Sequence, residues 1–126
     1  MAETINWLYS VRADRGPTAS LNGTLNADAY EKISVNVTAG VTQNVTVGPA
    51  TWAEVQSLVI SATDMSGAVT VQPQGAAAAV PLDAPFVLLG AGAVALLGAG
   101  NATLALANTG AADALVDIFV ARDATP

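Results

Sequence analysis

The feature that most constrains this chain is a two-residue period. Across Ile33-Ser34-Val35-Asn36-Val37-Thr38, β-branched aliphatics hold the odd positions and small polar residues the even ones. Successive side chains of an extended chain point to opposite faces, so 33, 35 and 37 face a core while 34, 36 and 38 face water or a partner. Thr42–Val47 repeats the arrangement with Val45 and Val47 inward, and the short link Ala39-Gly40-Val41 predicts a hairpin between the two. Val55–Ala62 is apolar on both alternate sets, as a central strand would be. Turn residues over 62–67 and a returning run at 68–72 predict a second hairpin.

The rhythm continues on both sides of this region. Strands are predicted over 85–89, 93–97, 102–107 and 114–122, separated by Gly- and Asn-containing turns. Leu-Leu-Gly-Ala-Gly occurs at 88–92 and again at 96–100, and is read as two similar strand ends. Thr4–Val11 is a strand with Ile5, Trp7 and Tyr9 on one face. The loop 12–17 follows it, and 20–26 reads as a short edge strand. Thr51–Glu54 makes at most one helical turn capped by Thr51, and is better read as a loop whose Trp52 lids the core. The stretch 74–79, between two prolines, is too short to nucleate a helix and reads as an irregular link. About eight to ten short strands at such spacing predict one all-β antiparallel sandwich or barrel over residues 1–126. Residues 1–17 form a strand and loop able to reach a neighbouring subunit.

Composition narrows the function. In 126 residues, 52% are hydrophobic and 11% charged, with ten acids against four bases and a net charge of −6. A chain of 12.5 kDa hides roughly 12,000 of the roughly 18,000 Å² that it exposes unfolded, enough for a real core. With so few charges, broad apolar areas stay exposed unless another copy or another protein covers them. Arg12, Arg15, Lys32 and Arg122 are the only cations, which argues against neutralising nucleic-acid phosphates. The uncharged run 84–100 is at the short limit for a membrane helix, but its four glycines and proline favour strands and turns, so no membrane contact is expected. The first residues lack the basic-then-apolar order of a secretory leader.

Histidine and cysteine are both absent, which removes disulfides, thiolate or imidazole metal sites, Cys nucleophiles and His-based triads. The acids are scattered, without the paired carboxylates of a glycosidase or the spacing of a calcium loop, although Asp64 and its turn carbonyls are the nearest approach to one. Gly90-x-Gly92 and Gly98-x-Gly100 lack the rest of a phosphate-binding loop. Four Asn-x-Thr triplets follow from alternating Asn and Thr on outward strand faces, and offer a neutral, hydrogen-bonding surface. No catalytic residue, metal site or cofactor is expected.

Two stretches, Leu104–Asp123 (LALANTGAADALVDIFVARD) and Ser57–Val71 (SLVISATDMSGAVTV), resemble the small β-sandwich virion proteins of tailed bacteriophages. The resemblance is to the head decoration, or cement, proteins. It implies a compact jelly roll on the outer surface of the capsid, made in the host cytoplasm, that binds the major capsid protein and bridges neighbouring shell subunits. It implies no catalytic residues. Some such proteins carry a long polar N-terminal arm, whereas only about ten residues here could serve as one.

The expected function is therefore structural: a homotrimer or homodimer sited at a local symmetry axis of the shell. Ile5, Trp7, Tyr9, Arg12 and Arg15 are the expected contact residues. The alternatives are another tail or fibre component, or a carbohydrate-binding sandwich that stacks sugars on Tyr9, Tyr30 or Trp52. An enzyme comes last, for want of a base beyond carboxylates.

Overall fold

A computed structural model describes residues 3–98 and 100–123. It contains ten strands: β1 (Glu3–Arg12), β2 (Thr18–Ala27), β3 (Ala29–Val37), β4 (Thr42–Thr51), β5 (Val55–Ala62), β6 (Val69–Pro73), β7 (Val80–Pro81), β8 (Phe86–Leu89), β9 (Asn101–Asn108) and β10 (Ala114–Arg122). β1 and β2 form a separate ribbon. The other eight make two four-stranded sheets, β3-β10-β5-β8 and β4-β9-β6-β7.

The pairing follows one rule. β3 pairs with β10, β4 with β9, β5 with β8 and β6 with β7, all antiparallel. These are the rungs of one long antiparallel ribbon whose bend lies between β6 and β7. Rolling that ribbon brings β10 against β5 and β9 against β6, which closes the two sheets. The result is a jelly roll, an all-β sandwich of two Greek keys.

Burial alternates as the sequence pattern requires. Val37, Val45 and Val47 are buried, Ile33 and Val35 pack against the same core, and residues 34, 36 and 38 are exposed. β9 contributes Ala102, Leu104 and Leu106, and β10 contributes Ala114, Val116, Ile118 and Val120. β5 lies between β10 and β8, a central strand as its unbroken apolarity predicts. β10 spans the predicted 114–122.

Both predicted hairpins are corrected. β3 and β4 lie in different sheets, as do β5 and β6, so 38–41 and 63–68 are corners that cross the sandwich. Alternation reports which face a residue occupies, but not which strand lies beside it. Asn108 locks one corner. Its side-chain amide donates to the Val37 and Ala112 carbonyls at 3.0 and 2.8 Å, and its side-chain oxygen accepts from Gly110 N–H at 2.9 Å. Its backbone carbonyl accepts from Gly40 N–H at 2.7 Å.

The strand expected over 93–97 is instead helical, with one turn of α-helix, α1 (Ala91–Val94), running into a 3₁₀ turn (Ala95–Leu97). Gly90 and Gly98, at φ +92° and +93°, bracket it in a region that side-chain-bearing residues avoid. The repeated pentapeptide therefore enters and leaves a helical turn and does not end two strands. This turn carries the chain between the sheets and buries Val94 at the end of the core. Trp52 seals the same end from a 3₁₀ turn (Trp52–Glu54) and is 1% exposed. Thr51 precedes that turn without a side-chain capping bond. Trp52 Nε1 has no hydrogen-bond partner among the described residues, a desolvated donor that the ring's apolar burial offsets.

Replacing Asn108 with Ala removes its side-chain bonds to the buried Val37 carbonyl and to the part-buried Ala112 carbonyl and Gly110 N–H. The expected loss is about 2–3 kcal/mol, or a fall in Tm of roughly 6–12 °C by scanning calorimetry.

Candidate functional site

The ribbon at the start of the chain is the least conventional part of the molecule. β1 and β2 pair over ten rungs, from Glu3 opposite Ala27 to Arg12 opposite Thr18. With that register, Ile5, Trp7, Tyr9 and Val11 share a face with Leu25, Gly23, Leu21 and Ala19 opposite them. The other face holds Thr4, Asn6, Ser10, Ser20, Asn22, Thr24 and Asn26, with Leu8 as its apolar exception. One side is apolar and the other polar, with Arg12 its charged residue at the end of β1. Trp7 lies across Gly23, where an added Cβ would stand 2.9 Å from the ring atom Cζ2. A side chain at position 23 would push the indole off its place over the neighbouring strand.

The apolar face looks onto the outer surface of the β3-β10-β5-β8 sheet. A groove of about 360 Å³ between them is lined by Ile5, Trp7 and Tyr9 from the ribbon and by Val59, Val87, Leu89 and Phe119 from the body. An adjoining cleft of about 440 Å³ brings in Leu21 and Pro85. Neither is lined by a charged side chain. Tyr30 stacks on Phe119, with ring centroids 6.3 Å apart and planes at 27°, and extends the apolar surface along β3.

Exposure rises towards the ribbon's tip. Ile5, Trp7 and Leu25 are half-buried, whereas Tyr9 is 40%, Val11 49% and Leu21 59% exposed. The tip is a turn closed by Gly16 N–H donating to the Ala13 carbonyl at 3.4 Å, with Arg12 and Arg15 exposed. Of the expected contact residues, Ile5, Trp7 and Tyr9 therefore share one surface. Arg12 ends β1 on the opposite face and Arg15 sits at the tip, so the arginines are not part of the groove. Leu21, Gly23 and Leu25 lie in the run read only as a short edge strand; their alternation with Asn22, Thr24 and Asn26 was the available sign of a shared face. Val59, Val87, Leu89 and Phe119 carried no local signal, because distant strands assemble that surface.

Most of the carboxylates with visible partners tie the fold together. Asp117 accepts from Ser34 Oγ at 2.6 Å, Asp113 from Ala39 N–H at 3.0 Å, and Asp123 from Gln56 Nε2 at 2.6 Å. Arg122 reaches Glu31 at 3.4 Å, a partly exposed pair of small energetic weight. No three acids among the described residues group closely enough to hold a metal ion. Asp64 accepts from Ser66 N–H at 2.9 Å inside its own turn. Hydrogen bonds from the Ser66 hydroxyl and amide hold its carboxyl below the usual aspartate range, against a smaller opposing effect of desolvation.

A second cleft, of about 340 Å³, lies on the outer face of the other sheet among Asn44, Gln72, Gln74 and Thr103, and has no aromatic lining. Trp52, named above as a sugar-stacking platform, is buried and cannot serve as one.

In an NMR titration, Asp64 should lose its proton below the ordinary aspartate range, and Ser66→Ala should move that midpoint upwards. Its contribution to stability is present above the unfolded-state pKa and lost as pH falls through the folded one. No family model, curated protein or solved structure matches the chain.

Proposed function

We propose that this chain is a structural virion protein that decorates the outside of a tailed-phage head and bridges neighbouring capsid subunits. One observation carries the reading: an uncharged, half-exposed apolar surface shared by the β1–β2 ribbon and the outer face of the β3-β10-β5-β8 sheet. Contiguous apolar surface on a folded domain marks a contact site. Aromatic residues such as Trp7 and Tyr9 are those that anchor such contacts.

The rest of the molecule suits this role. Jelly rolls recur in capsid and lectin domains, an analogy of fold that supports the reading without carrying it. The acids with visible partners staple corners and strands of a rigid body. A protein that binds only the assembled shell stabilises that shell by mass action, with no chemical step. The resemblance of Leu104–Asp123 and Ser57–Val71 to head decoration proteins points the same way and supplies the partner, the major capsid protein.

The test is to mix purified protein with undecorated heads before and after expansion and to image the particles. The expected result is added density at local symmetry axes of expanded heads, with shells that disrupt at higher temperature. Failure to bind at any expansion state overturns the proposal.

A further inference from the structure

We propose that the body side of the groove beneath the ribbon is covered by the ribbon of a second copy of this chain. The β1–β2 ribbon of one copy lays its apolar face on the outer surface of β10, β5 and β8 of its neighbour, and the exchange is reciprocal. This rests on the assembly reading above and names the element that performs it.

Four observations lead there. The first is cover. The outer part of the ribbon's apolar face is left open by its own body: Tyr9, Val11 and Leu21 are exposed, whereas Ile5 and Trp7 are half-buried. The second is area. The chain exposes 7151 Å², against about 6,200 Å² for a compact monomer of 12.5 kDa. The excess, about 1,000 Å² over the whole chain, is comparable with the roughly 800 Å² that one partner contributes to a stable interface.

The third is charge. The tip, with Arg12, Asp14 and Arg15, carries a net charge of +1, whereas residues 28–126 hold two bases against eight acids. A body of the same chain is thus electrostatically matched to receive the tip, while the uncharged groove selects apolar surface. The fourth is the hinge. Only Asp28 separates β2 from β3, and its N–H is held by the Arg122 carbonyl at 3.0 Å. Straightening this one bend would make β2 and β3 a single strand and swing the ribbon onto a neighbour. Short connections of this kind favour exchange of an element between copies.

The absence of cysteine from the chain makes the test clean. Tyr9 and Val87 line the same groove from its two sides. Tyr9→Cys and Val87→Cys chains, purified separately, mixed at micromolar concentration and oxidised, should give the heterodimer in preference to either homodimer. Adding Leu21→Asp to the Tyr9→Cys chain should lower that yield roughly tenfold or more. A mixture that stays monomeric, or that cross-links at the statistical ratio, overturns the exchange. So does a doubly substituted chain that closes only within itself at every concentration. Head binding without cross-linking overturns the exchange and keeps the decoration role. Cross-linking without head binding does the reverse.

Discussion

A two-stranded ribbon has no second layer of its own, so an apolar face on it must be covered by something else. In this protein that constraint falls on β1 and β2, whose common face carries Ile5, Trp7, Tyr9, Val11, Leu21 and Leu25. The eight-stranded body meets the same requirement internally, because each sheet covers the other's apolar face. The ribbon meets it only in part, against a body surface that is itself apolar over Val59, Val87, Leu89 and Phe119. Two incompletely matched apolar surfaces on one small chain are the physical origin of the assembly proposed for it.

The sparing use of charge fits the same picture. Asp113, Asp117 and Asp123 accept hydrogen bonds that join elements far apart in the chain, and Asp64 shapes its own turn. Asn108 does comparable work without charge, its side chain joining the end of β3 to the corner that leads into β10. Asp113 and Asn108 thus hold corners at which the rolled ribbon changes sheet, whereas Asp117 and Asp123 tie neighbouring strands within one sheet. That rigidity suits a body that presents a contact surface.

Much of the architecture was legible because burial writes a two-residue period into a strand. Val35, Val37, Val45 and Val47 declared their faces, and Val55–Ala62 declared a central strand by being apolar on both sides. Partner choice was not legible. Neighbouring runs such as 33–37 and 42–47 look like hairpin arms, yet the roll places them in opposite sheets, since their true partners lie 57 to 85 residues away. The helical turn at 91–97 was missed because Ala and Leu suit strand and helix alike over so short a stretch; the glycines at 90 and 98 were the available sign. For the candidate site, the shared face of Ile5, Trp7 and Tyr9 was visible in the alternation. The half of the groove built by β5, β8 and β10 was not, because it exists only after the sheet has formed.

The chain is proposed to work by being held against neighbours. Its mass in solution tests that most directly. Sedimentation velocity of the intact protein at tens of micromolar should return a closed species at an integer multiple, above one, of 12.5 kDa. A single sharp boundary at 12.5 kDa across that range would show a monomer and overturn the proposed assembly.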